Sequence, residues 1–371
     1  MNTTKQGLSR LVVKIGSSVL TTATGKPDAA RLTQLVRQMA ACVKQRRDVV
    51  VVSSGAIACG MGRLKLQRRP SDVAQLQACA AIGQGELMRR YSHAFGRHGL
   101  TVAQVLLTQA DLADRARCRN AKNTLKTLLS RGVVPIINEN DAVAVEEIAF
   151  GDNDRLAALV ACLVEAQVLV MLSDVDGLLR NGRVIERIDH LDQTHEALAL
   201  GPSRETTTGG MASKLAAARI VRHSGIPLVI ANGKRSGVIA AILDGKPVGT
   251  LITAQPRTLK FRKWWIAFSM RRPLGTVVVD RGAAAALLHQ GRSLLASGIQ
   301  DVTGRFHAGD PIAIVHRAHG ELARGLSNFS SSELARIRGL KSDRFAGALG
   351  RRNAPDEVVH RDNLVLSKEV A

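Results

Sequence analysis

Apolar residues in the first two-thirds of the chain follow two rhythms that take turns. Largely apolar runs at 11–15, 49–52, 100–107, 133–137, 168–172 and 226–231, rich in Val, Ile and Leu, predict strands covered on both faces. Between them, apolar positions recur at helical spacing, as with Leu32, Leu35, Val36 and Met39 within 29–43. Leu156, Leu159, Val160 and Leu163 repeat the pattern after Asp154. Further helices are expected over 72–95, interrupted at Gly83 and Gly85, over 119–129 and over 215–223, with a last strand at 249–252. Strands alternating with helices predict a three-layer α/β/α domain around a mainly parallel sheet.

After residue 255 the pattern changes. Residues 256–273, with Arg257, Lys260, Arg262, Lys263 and the pair Trp264-Trp265, read as a basic linker with an aromatic anchor. Short strands at 275–280 and 311–315, set among glycine turns, predict a small β-rich domain over 274–352 and a C-terminal tail over 353–371. The α/β domain then occupies 1–255. A chain of 371 residues exceeds the size at which a single core stops growing, so two domains are expected on length alone.

Polar residues collect at the carboxyl ends of the predicted strands, where open α/β sheets hold their ligands. The 133–137 run passes into Asn138-Glu139-Asn140-Asp141, and Gly151-Asp152-Asn153-Asp154 precedes the next helix. Carboxylates there suit an amine, and amides suit either end of a zwitterion; the same Asp and Asn residues also stand where helix caps are common. The first run carries Lys14 ahead of Gly16-Ser17-Ser18, a cation beside a small-residue turn that suits a phosphate, although a strand-end Lys also simply reaches solvent. The 49–52 run ends in Ser53-Ser54-Gly55-Ala56, and the 168–172 run in Ser173-Asp174. The glycine-rich turn over 206–214, reading TTTGGMASK, leads into a helix and puts Lys214 in its first turn. A cation beside the positive end of a helix is unfavourable unless an anion compensates it, which makes Lys214 the more telling of the two lysines. The chain has no GxxxxGK[ST] phosphate loop.

Composition narrows the partners. The formal net charge is +21, nine of it in the last 117 residues, which fits a nucleic-acid or acidic partner and equally a solvated basic surface. Five cysteines (Cys42, Cys59, Cys79, Cys118, Cys162) stand without a CxxC pair and read as reduced thiols in a cytoplasmic protein, with no zinc site or disulfide frame. The N-terminal apolar run is broken by Lys14 and Gly16, unlike a signal peptide, and no run reaches the ~18 apolar residues of a membrane span.

These blocks together, VVKIGSSVL, VVSSGAIACG, INENDAV, GDNDRLAALVA, LSDVDGL, TGGMASK and GTLI, with the RKWW stretch behind them, resemble the glutamate 5-kinase (γ-glutamyl kinase) branch of the amino acid kinase family. The stretch VVVDRGAAAALLHQGRSLLASGIQDVTGRFHAGD resembles the PUA domain that follows the kinase there. The resemblance covers nearly the whole chain. It implies ATP-dependent phosphorylation of the γ-carboxylate of L-glutamate to L-glutamyl 5-phosphate, the first step of proline biosynthesis.

Carried over residue by residue, it implies that Lys14 and Lys214 contact the nucleotide phosphates and the phosphoryl group in flight, with Asp154 positioning both lysines. Ser54, Gly55, Asn138, Asp141 and Asn153 then hold the substrate, Asp141 being suited to the α-amino group. Ser173, Asp174 and the turn Thr208, Gly209, Gly210, Met211, Ala212, Ser213 and Lys214 would line the ATP site. Mg²⁺ is expected with ATP, without a firm protein ligand. The resemblance also implies a homo-oligomer, a proline feedback inhibitor, a downstream glutamyl phosphate reductase and RNA as a candidate partner of the PUA-like domain. Ser stands at 53 and 173, where the family often has Thr, and the 175–183 segment is shorter than is typical. The rivals are an acetylglutamate or aspartate kinase of the same fold, or an RNA-binding protein. Acetylglutamate has no free amine for Asp141, and RNA binding leaves Lys14, Asp154 and Lys214 unexplained.

Overall fold

The computed structural model describes residues 8–22, 24–144, 153–200, 210–255, 261–269, 273–350 and 353–367. The chain divides into two compact units at 258/259.

The first unit is built on the β-branched runs. They form β1 (Arg10–Ile15), β2 (Asp48–Ser53), β3 (Val102–Leu107), β4 (Val134–Glu139) and β5 (Val168–Ser173). A two-stranded hairpin of β6 (Leu179–Arg180) and β7 (Arg183–Val184) precedes β8 (Arg187–Ile188), β9 (Leu228–Asn232) and β10 (Thr250–Ile252). The main sheet runs β3-β4-β2-β1-β5-β9-β10-β8, parallel throughout except for β9 against β10. The chain leaves β1 toward β2 on one side and returns to β5 on the other, so β1 lies at the reversal of strand order. A crevice opens at such a point outside the carboxyl ends of the strands.

Period-two alternation along β1 decides where Lys14 goes. Leu11, Val13 and Ile15 are fully buried and join one core cluster, which sends Val12 and Lys14 to the opposite face. The helices of this unit are α1 (Ser17–Leu20), α2 (Ala29–Lys44), α3 (Ala56–Arg63), α4 (Val73–Gly96), α5 (Gln109–Ala113) and α6 (Arg115–Ser130). They continue with α7 (Asp154–Leu163), α8 (Gln193–Leu200), α9 (Met211–Arg222) and α10 (Val238–Leu243). Their starts follow sequence chemistry. Asp28, Asp72 and Asp114 cap α2, α4 and α6 through backbone N–H groups three residues on, and Thr108 with Asp111 forms a capping box on α5.

Helix α4 corrects one expectation. It runs unbroken through Gly83 and Gly85. Gly83 does not interrupt the helix; it admits a neighbour. A Cβ there would lie 1.8 Å from the Ala56 carbonyl oxygen, and one at Gly60 would lie 1.8 Å from that of Cys79, so α3 and α4 touch backbone to backbone.

In the second unit, residues 261–269 are no linker. They form α11 (Phe261–Trp264) and a π-helical turn (Trp265–Ser269), with Trp264, Trp265 and Ile266 buried within this unit. The rest comprises β11 (Gly275–Val279), α12 (Arg281–Gln290), β12 (Ile299–Gly304), β13 (Pro311–His316), β14 (Gly320–Leu326), α13 (Ser331–Ile337), α14 (Phe345–Leu349) and β15 (Leu364–Leu366). The sheet order is β12-β11-β13-β14-β15. The expected tail is therefore structural as well: β15 pairs antiparallel with β14, and Val358, Val359, Leu364 and Val365 are buried in this unit's core. Those apolar pairs are what a solvated tail lacks.

Candidate active site

At the carboxyl end of β1, Lys14 is 5% exposed; Lys214 on α9 is 3% exposed, and Asp154, the first residue of α7, is fully buried. The Asp154 carboxylate lies between the two ammoniums, Oδ1 at 2.5 Å from Lys14 Nζ and Oδ2 at 3.1 Å from Lys214 Nζ. Ser213 donates its hydroxyl to Asp154 Oδ2 at 2.8 Å. Burial alone pushes the Asp154 carboxyl upward, but Lys14, Lys214 and Ser213 outweigh it and hold the group below its ordinary range. The start of α7 favours the same charge.

Two cations therefore share one carboxylate in a dry place, and the cluster keeps a net charge of +1. Such a cluster attracts an anion, and its field acts at low dielectric. The compensation for a lysine near a helix start, expected from an anionic ligand, is supplied in part by the chain itself.

The second group of residues surrounds Asn153. It stands at the cap position of α7 but makes no capping bond with its side chain. Its Nδ2 instead shares its two hydrogens among Ser53 O at 3.0 Å, Ser54 Oγ at 3.1 Å and Asn138 Oδ1 at 2.8 Å. The Ser53 carbonyl can only accept, which fixes the orientation of the Asn153 amide. The direction then propagates: Asn138 Nδ2 donates to Gln84 Oε1 at 3.0 Å, and Gln84 Nε2 to Gln104 Oε1 at 3.2 Å. Below it, Ser53 Oγ and the Tyr91 hydroxyl are 2.8 Å apart.

Ser54, Gly55, Asn138, Asp141 and Asn153 line one solvent-open cleft of about 510 Å³, together with Arg69. Burial pushes the Asp141 carboxyl up to about 6, a rise that the nearby Arg69 guanidinium moderates. A carboxylate raised in this way, at the wall of a cleft, is suited to receive a cationic group.

Of the residues expected at the ATP site, Ser173 ends β5 and donates to Asp174 Oδ1 at 3.2 Å, with Asp174 exposed. Gly210 is the extended cap residue of α9, and Met211, Ala212 and Ser213 form its first turn. Thr208 and Gly209 lie outside the described residues, as does Asp152.

Residues 9–232 match the amino acid kinase family, and residues 275–348 match the PUA domain. The chain is 45% identical to Glutamate 5-kinase of Syntrophus aciditrophicus over 368 residues, 97% of this chain and 95% of that one. It is 46% identical to Glutamate 5-kinase of Thermus thermophilus over 372 residues, 98% of this chain and all of that one. The chain belongs to the amino acid kinase family, among its glutamate 5-kinases. The UMP kinase structure from Ureaplasma parvum aligns with 66% of this chain and 99% of that one, at 17% identity and a TM-score of 0.45.

For this glutamate 5-kinase family member, sequence reasoning missed three side chains that the fold brings in. Arg69 sits in an Arg-Arg-Pro loop that carries no periodic pattern. Gln84 and Gln104 lie in a helix and a strand whose residues otherwise read as packing, and only their buried amides mark them.

Mg²⁺ would enter this site with ATP. Among the described residues no cluster of three or more His, Cys, Asp or Glu is placed to hold a metal, and Asp154 is committed to two ammoniums.

Proposed function

We propose that Lys14, Asp154 and Lys214 carry the phosphoryl transfer and that the Asp141 cleft selects the amino acid. The reaction is ATP-dependent phosphorylation of the γ-carboxylate of L-glutamate, the opening step of proline biosynthesis. The observation that carries the division of labour is the pair of adjoining sites: a cationic cluster at β1, α7 and α9, and an amide-and-carboxylate cleft that includes Asn153, the cap residue just before Asp154.

A carboxylate nucleophile is already ionised at neutral pH, so no general base is required. The task is to bring two anions together and to stabilise charge on the group in transit. Lys14 and Lys214 supply that charge, and Asp154 with Ser213 keeps both ammoniums from drifting. When bound, Mg²⁺ would neutralise charge on the β- and γ-phosphates. Ser173, Asp174 and the first turn of α9 border the nucleotide.

Further partners belong to the same reading. An acyl phosphate is labile, so handing it to a reductase is part of the proposal, as are proline as feedback inhibitor and a homo-oligomeric assembly. A cytoplasmic setting fits five buried, unpaired cysteines. No described helix is long and apolar enough to cross a membrane. RNA binding by the basic second unit remains a separate proposal for that unit alone.

Purified protein with ATP, Mg²⁺ and hydroxylamine is expected to yield hydroxamate with L-glutamate and little with acetylglutamate or aspartate. Equal turnover of acetylglutamate would remove the role given to Asp141.

Asp141→Asn is expected to raise the KM for glutamate by roughly tenfold or more and to leave that for ATP within about threefold, because an ammonium contact is lost. In the parent protein kcat/KM for glutamate should fall as pH drops through about 6, where Asp141 gains its proton, and the variant should lack that limb. The stability sign is opposite. Because the folded-state pKa is raised, the ionised group weakens the fold as pH rises from the unfolded value near 4 to about 6 and keeps doing so above it. At pH 7.5 the variant should therefore melt higher than the parent, and a lower melting temperature would contradict the burial argument.

A further inference from the structure

We infer that Arg69 binds the α-carboxylate of the amino-acid substrate, and that Arg69 and Asp141 together read the zwitterionic head. The inference rests on the glutamate reading above and extends it to a residue not yet given a role.

Glutamate presents three charged groups. Its γ-carboxylate must lie by the Lys14–Asp154–Lys214 cluster, where phosphoryl transfer takes place. Its α-ammonium and α-carboxylate then remain for the cleft lined by Ser54, Gly55, Asn138, Asp141 and Asn153. The polarity of that lining is set by the fold. Asn153 spends Nδ2 on Ser53 O, Ser54 Oγ and Asn138 Oδ1, which leaves Oδ1 as the atom it can offer a ligand. Asn138 likewise gives Nδ2 to Gln84 and takes Asn153 at Oδ1. Asp141 adds an acceptor. Glu139 adds another, and the Ser54 hydroxyl, which accepts from Asn153, keeps its own proton to donate, so the side chains named so far suit an ammonium better than a carboxylate.

The cation in this lining is Arg69. It stands close enough to Asp141 for its charge to act on that carboxyl, so the two opposite charges face one cleft, as the two charges of an α-amino acid do. Its guanidinium is a planar fork matched to a carboxylate. Its side chain is exposed at the cleft lining, and among the described residues it forms no ion pair, so it can turn to a ligand without breaking a bridge first. Its loop runs from the end of α3 to the start of α4, and Ala56, Ile57 and Ala58 of α3 line the same cleft.

The test uses two substrates that share the γ-carboxylate: L-glutamate and its α-carboxamide, L-isoglutamine. The full-length protein should prefer glutamate, and Arg69→Ala should lower kcat/KM for glutamate on the order of tenfold or more while leaving isoglutamine nearly unchanged. The loss should lie in KM for the amino acid, with KM for ATP unaltered, and Arg69→Lys should restore part of it. An equal fall for both substrates would mean that Arg69 only shapes the loop, and a rise in KM for ATP alone would assign it to the nucleotide; either result overturns the inference. A parent protein that makes no hydroxamate from glutamate would defeat the functional reading itself, an outcome separate from unchanged discrimination in the variant.

Discussion

Lys214→Ala is expected to lower kcat by roughly a hundredfold or more while changing the KM for L-glutamate by no more than about threefold, the scale on which one preorganised charge contact acts. The residue sits at the end of the first turn of α9, 3% exposed, with its ammonium 3.1 Å from Asp154 and 3.4 Å from the Gly210 carbonyl. It is not among the residues that line the cleft assigned to glutamate. Its removal takes away one of the two ammoniums at the proposed point of transfer and leaves the fold a neutral Ala in a helix, a residue that suits helices well. Steady-state kinetics on both substrates, with circular dichroism as the control for folding, check the result. A variant with parental kcat would move the reacting centre away from α9.

Asp154→Ala should be the more damaging change, because it acts on two properties at once. The carboxylate is fully buried and neutralises two ammoniums that are themselves 5% and 3% exposed. Removing one member of a buried ionic group leaves charge without its partner, a loss of about 3–5 kcal/mol. The sign with pH follows from the depressed folded-state pKa: this support is fully present above the unfolded value near 4 and is lost as pH falls through the lower folded value. At neutral pH the variant should melt well below the parent, and added pyrophosphate should return part of the difference by supplying the missing anion. Activity should fall at least as far as in Lys214→Ala, since both lysines lose their anchor. An Asp154→Ala protein that melts like the parent, with or without pyrophosphate, would show that packing rather than charge holds the lysines.

Much of this arrangement is legible in the sequence because it is local. Val49 to Val52 cannot be anything but a covered strand, and the polar residue that follows each such run marks the edge of the sheet where chemistry gathers. Lys14 and Lys214 stand out because a cation in a buried strand or at a helix start contradicts its surroundings. What the sequence hides is non-local. Asn153 reads as a helix cap, and only the approach of β2 and β4 shows that its amide is drawn away to Ser53, Ser54 and Asn138. Gly83 reads as a helix breaker because propensity is a single-residue property, whereas its purpose, admission of the Ala56 carbonyl, belongs to a pair of helices. Arg69 has no period and no neighbour in sequence to give it meaning. The strand at 364–366 was hidden by its brevity and by its partner, β14, lying some forty residues earlier.

The position of that last strand has a consequence for how the protein is made. The main sheet of the first unit is complete once residue 252 has been added, and every side chain assigned to phosphoryl transfer precedes it. The second sheet lacks its edge strand until residues 364–366 exist. Units fold in order of synthesis at a rate of about 5–20 residues per second, so the catalytic half has several seconds of lead time. During that interval the edge of β14 has no strand of its own to cover it, and it is the nascent second unit, not the enzyme proper, that has most need of protection on the ribosome.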